Sequence, residues 1–125
     1  INSNKSIRFV QKLLNSPNGF SKKTIDLGGR NFFLQILKFD NGYFVSVTEG
    51  SSKLGSMVVS LATGQNPITT TVIPSKSESL FLKLIAERIS TRMHGIAIVS
   101  TFVQKELDPT TAKVLMTEIM DIVQN

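Results

Sequence analysis

The chain has 125 residues, 41% of them hydrophobic and 18% charged, with a net charge of +5 and no cysteine. That balance fits one globular domain and excludes a disordered chain, a disulfide framework, a thiolate nucleophile and a Cys-ligated metal. No apolar run approaches the ~20 residues of a membrane helix, and "INSNKS" lacks the apolar centre of a secretory signal.

The basic excess is uneven. Residues 1–76 carry nine basic and three acidic groups, whereas residues 77–125 carry five and six. Such asymmetry suits an anionic partner, whether nucleic acid, a membrane surface or an acidic protein face, and equally a solvated basic face. The first residue is not Met, which leaves room for a native N-terminal extension.

In chain order, "SIRFVQKLL" (6–14) alternates imperfectly and reads as a strand, with a short helix competing. "NSPNGFSKK" (15–23) clusters turn formers, so residues 15–30 are expected to be a mobile loop. "NFFLQILKF" and "YFVSVT" flank Asp40-Asn41-Gly42. Asn-Gly accepts the positive φ angles of a type I′ turn, so a hairpin is expected with Phe39 opposite Phe44 and Leu37 opposite Ser46.

"SMVVSL" (56–61) and "ITTTVI" (68–73) read as two more strands. Ser75 and Glu78 have capping-box spacing, and Leu80, Phe81, Leu84, Ile85 and Ile89 recur at helical spacing up to Gly95, the expected terminator. "IAIVSTFV" (96–103) is a β-branched central strand. Asp108 as N-cap and Pro109 at the first helical position open a last helix, striped by Val114, Leu115, Ile119, Ile122 and Val123. Together they predict a single α+β domain, an antiparallel sheet of five to six strands with two main helices packed on it.

Chemical constellations are few. "EGSSKLGS" (49–56) has the two glycines of a phosphate loop, but Ser56 and Met57 stand where Lys and Ser/Thr are required. The run after it is a strand rather than the helix whose N-terminus would face a phosphate. His94, the one histidine, sits beside Gly95, where an imidazole suits the C-terminus of a helix. The nine carboxylates form no acid–base pair in sequence, so no catalytic, cofactor-binding or metal-binding residue is assigned. "GRNFFLQI" has aromatics like an RNA-binding strand. Asn31 follows Arg30, however, and adjacent Phe32 and Phe33 must point to opposite faces. A small basic nucleic-acid-binding module therefore stands as the alternative. Met116 and Met120, one helical turn apart, widen the last helix's apolar surface toward core or partner.

From Phe33 to Asn125 the chain resembles the small proteasome assembly chaperones 3 and 4. The residues that carry this are "FDNGYFVSVTEG", "NPITTTVIP", "LIAERISTRMHGIAIVSTFV" and "DPTTAKVLMTEIMDIV". "IAERI" with the following "IAIVST" looks like chaperone 4, "SKLGSMVVSL" more like chaperone 3, and the loop around "NSPNGFSKK" departs from chaperone 4; chaperone 4 is favoured. The resemblance implies a non-enzymatic, eukaryotic, cytoplasmic and also nuclear scaffold. It would pair with the related subunit, or with itself when alone, and bind proteasome α-subunits to promote 20S α-ring assembly. Lys22, Lys23, Arg30 and Lys53 are the expected contacts to the α-subunit; Phe32, Phe33, Met116 and Met120 are those expected at the dimer interface.

Overall fold

The computed structural model describes residues 14–15, 19–75 and 80–124. Among them seven strands and two helices follow in the order β1 (Leu14–Asn15), β2 (Phe20–Leu27), β3 (Arg30–Phe39), β4 (Gly42–Glu49), β5 (Ser56–Leu61), β6 (Ile68–Ile73), α1 (Leu80–Met93), β7 (Ile96–Phe102) and α2 (Pro109–Gln124). The strands form one sheet in the order β1-β2-β3-β4-β7-β5-β6. The α+β class and the two helices agree with the sequence. The sheet is antiparallel except where β7 enters beside β4 in a parallel ladder, because α1 returns the chain to the sheet's middle.

Alternation decides what each face buries. Phe32, Leu34 and Ile36 of β3, Val45 and Val47 of β4, Val58 of β5, and Ala97 and Val99 of β7 point one way. Against them pack Leu82, Ile85, Ala86 and Ile89 of α1 with Leu115, Ile119 and Met120 of α2, giving one core. Full burial of each larger aliphatic side chain contributes about 1.5–3 kcal/mol. Tyr43 spans the same layer: its hydroxyl donates to the Val123 carbonyl at 3.0 Å, and burial raises its pKa.

The strand expected over residues 6–14 lies outside the described residues except Leu14, which begins β1; Glu78 of the capping box also lies outside them. The expected loop over 15–30 is corrected. Phe20–Leu27 is a strand paired with β3 over eight positions, and the turn after it is Gly28-Gly29, both at positive φ. Lys23 obscures the strand's alternation, because it occupies an inward position beside Ile25 and Leu27.

The hairpin exists, but its register is corrected. Phe39 pairs with Gly42 and Leu37 with Phe44, so the loop is Asp40-Asn41, and neither Asn41 nor Gly42 has positive φ. Gly42 is needed for proximity instead: a Cβ there would lie 2.5 Å from the Ile96 carbonyl oxygen. Gly95 is its counterpart, since a Cβ would lie 2.4 Å from the Asn41 oxygen. Helix α1 is accordingly stopped by His94, at φ 53°, and not by Gly95. Gly95 N donates to Ser90 O and His94 N to Thr91 O, the paired bonds of a Schellman motif with histidine in the left-handed position.

A β-carbon in that conformation costs roughly 1 kcal/mol. His94→Gly is therefore expected to stabilise the fold by about 0.5–1 kcal/mol in chemical denaturation, whereas Gly95→Ala, which meets the Asn41 carbonyl, is expected to destabilise it.

Candidate partner-binding surfaces

Both helices lie on one face of the sheet. The other face has no helix among the described residues, and the residues alternating with the core line it: Phe20, Phe33, Leu37, Phe44, Ile98, Phe102, Met57 and Val59, with Phe39, Leu61, Ile68 and Val72 toward the rims. The central ones are half-buried, while Phe39, Ile68 and Val72 are 52%, 69% and 53% exposed. An apolar surface of this breadth is unusual for a protein that acts alone.

The "EGSSKLGS" segment lies over part of this open face. Gly50 turns the chain at φ 82°, and Gly55 passes so close to β7 that a Cβ would fall 2.1 Å from the Thr101 oxygen. Between them Gln35 Nε2 donates to Ser52 Oγ at 3.3 Å, and Gly55 N donates to Ser100 Oγ at 3.1 Å. The loop, with Phe20, Leu37 and Phe44 beneath it, borders a half-open pocket of about 290 Å³. Of its two glycines, Gly50 thus serves a left-handed turn and Gly55 a close backbone approach.

The basic candidates separate sharply. Lys22 lies on the open face with its ammonium 5.4 Å from the Phe20 ring centre, and Lys53 sits 5.3 Å from that of Phe102. Lys23 points the opposite way. It is buried, and its ammonium donates to the Glu118 carboxylate of α2, so it is corrected from partner contact to internal ion pair.

Arg30 is also engaged internally. Its Nε donates to Glu49 Oε2 at 2.8 Å, and its Nη2 donates to Glu49 Oε1 at 2.6 Å and to the Lys105 carbonyl at 3.0 Å. Glu49 further accepts from Gln104 N, and Gln104 Nε2 donates to the Glu49 carbonyl. This fork fixes the start of the 103–107 segment. The hydrogen bond from Arg30 is the main reason the Glu49 carboxyl stays below its ordinary range; that from Gln104 adds to it. Asp108 then caps α2, accepting from Thr111 N at 2.7 Å.

Among the expected dimer residues, Phe32 is fully buried and is corrected to core, while Phe33 lies half-buried on the open face. Met120 is 6% exposed within the core cluster. Met116 borders a groove of about 720 Å³ between α1, residues 103–107 and α2, together with Leu80, Phe81, Leu84, Phe102 and Leu107. The open face as a unit was not legible from single residues, because it needs the strand order. The half-buried positions of "YFVSV" and "IAIVSTF" carried the signal only once both helices were placed on one side.

Removing one member of a partly buried, doubly hydrogen-bonded ion pair costs about 2–3 kcal/mol, more than replacing both. Glu49→Ala is thus expected to be destabilised on the order of 3 kcal/mol at neutral pH, and Arg30→Met with Glu49→Leu much less. Because Glu49 titrates below its ordinary value of 4.5, its contribution is complete above that pH and is lost as pH falls below it. In acid, denaturation should show wild type losing its margin over the double variant.

A family model described as proteasome assembly chaperone 4 matches residues 31–102. No curated protein matches the chain. A chain in a crystal structure described as a novel chaperone complex for yeast 20S proteasome assembly shares the fold at a TM-score of 0.58, with 11% identity over 94% of each chain. The family match runs from β3 through β7, more than half of the sequence and the whole of the sheet's centre, and by it this chain belongs to the proteasome assembly chaperone 4 family.

Proposed function

We propose that this protein is a non-enzymatic proteasome assembly chaperone. In this reading it binds a related chaperone subunit through the helix-free face of its sheet, and the pair holds proteasome α-subunits during 20S α-ring assembly in the cytoplasm and nucleus. Family membership supports the assembly role. The observation that carries the mode of binding is the one-sided architecture. A sheet normally covers both faces or leaves the outer one polar, yet here Phe33, Phe44, Ile98 and Val59 stand in neighbouring strands with neither described helix over them. A second sheet of the same kind would pack against such a face at about 10 Å.

A nucleic-acid reading draws on the same face, since aromatics on an open sheet can stack with bases. It is the weaker one. The family match supports the assembly role, and Lys22 over Phe20 and Lys53 over Phe102 are the two cations beside those rings.

The test is recovery of partners from a eukaryotic lysate with the tagged chain, identified by mass spectrometry. A related chaperone subunit and a proteasome α-subunit are expected. Val59→Lys and Phe33→Lys, which place charge at the half-buried centre of the face, are each expected to weaken capture of the chaperone subunit at least tenfold, about 1.4 kcal/mol. Recovery of neither partner by the wild type would sink the reading.

A further inference from the structure

Among the described residues the sheet ends at β6, whose one neighbour is β5. A free edge offers a row of unpaired backbone groups, and soluble proteins ordinarily guard it with charge, proline or a covering element. This edge has no charged side chain. From Leu54 to Ser75 there are 22 consecutive residues without Asp, Glu, Lys or Arg, although 18% of the chain is charged. At that density about four would be expected in such a stretch. Pro67 and Pro74 bound the strand from outside, so every residue of Ile68–Ile73 keeps its N–H. All six are exposed except half-buried Thr69, whose hydroxyl bonds Ser60 and Glu87 on the helix side. The extra residue in the ladder to β5, Val72, comes after Thr71 and leaves Ile68–Thr71 in regular register. The opposite edge, β1, is two residues long.

We propose that this edge is a self-association site, at which a second copy of the chain adds its own β6 antiparallel about a two-fold axis through Thr70. Three observations favour a second copy over an unrelated strand. A closed two-fold contact uses one patch twice and must be self-complementary. Antiparallel neighbours related in this way share faces, and the register centred on Thr70 places Thr69 opposite Thr71 within the regular stretch and Ile68 opposite Val72, the residue at the bulge. Apolar thus meets apolar and hydroxyl meets hydroxyl. Centring on Thr69 or Thr71 instead sets Ile against Thr. Finally, two chains each of +5 approach most easily through the stretch that carries no charge. The result is a continuous sheet with the open faces of both copies on one side. It leaves the face proposed for the chaperone partner free, so it does not depend on that reading.

The chain's lack of cysteine supplies a clean test. Residues facing each other across antiparallel strands have Cα atoms roughly 4.5–5.5 Å apart, within disulfide reach. Under mild oxidation Thr70→Cys is expected to give a covalent dimer at least tenfold faster than Thr91→Cys, an exposed control on α1. Sedimentation of the wild-type chain should show a concentration-dependent dimer at tens of micromolar. Thr70→Lys should be monomeric with an unchanged far-UV spectrum, and Val59→Lys should still self-associate. A wild type that stays monomeric at several hundred micromolar overturns the proposal. So does a dimer that survives Thr70→Lys but is lost in Val59→Lys, which would assign self-association to the face. Equal cross-linking at residues 70 and 91 overturns it too.

Discussion

Everything in the sheet is arranged around one close backbone approach, where the β3–β4 turn meets the start of β7. Ile96 N donates to the Asn41 carbonyl at 2.9 Å, and glycine stands on each side of the contact at 42 and 95. With any side chain at either position the two segments could not come this near, and the parallel ladder from Gly42–Ile96 to Thr48–Phe102 would have no starting point. That ladder moves β5 and β6 outward, because β7 occupies the place beside β4 that a simple meander would give to β5. It also sets α1 over β7 and β5. The exposed uncharged edge and the one-sided placement of the helices are both consequences of this insertion.

The parts of the fold legible in sequence are those settled by near neighbours. Alternation in "NFFLQIL" and the stripe of the last helix were readable because a two- or four-residue period is local. Asp108 as cap was readable because its partner, Thr111, is three residues away. What escaped depends on distant residues. Strand β2 reads as a loop because its inward Lys23 breaks the apolar alternation, and only Glu118, 95 positions later, makes a buried lysine tolerable. Asn41-Gly42 looks like a primed turn, yet its glycine is required by Ile96, far along the chain, and the turn moves back by one residue. Gly95 looks like a helix terminator for the same reason. In each case the local signal was real, and a long-range contact claimed the residue first.

The two internal ion pairs change how the basic excess should be weighed. Counted in sequence, Lys23 and Arg30 belong to a basic N-terminal half. In the fold their charges are matched by Glu118 and Glu49, which tie β2 to α2 and the 103–107 segment to β4. Such pairs contribute little net stability but forbid alternative packings in which either charge is left alone. Their effect is to hold β2 and the wall of the α1–α2 groove in one position. A surface fixed in advance loses less entropy on binding.

What remains outside is a sheet whose two ends differ electrically. At the β2–β3 end Lys22, Lys38, Asp26 and Asp40 are not engaged in ion pairs among the described residues. Lys53 stands above Phe102 at the sheet's centre, and β5 and β6 carry no charge. The β2–β3 end therefore presents charge of both signs, while at the other end shape and backbone pairing must decide. A contact made through charged groups weakens with salt, whereas one made through an uncharged edge does not. The same 22 uncharged residues that look ordinary as a hydrophobic hairpin in sequence are thus the stretch of surface least protected by charge.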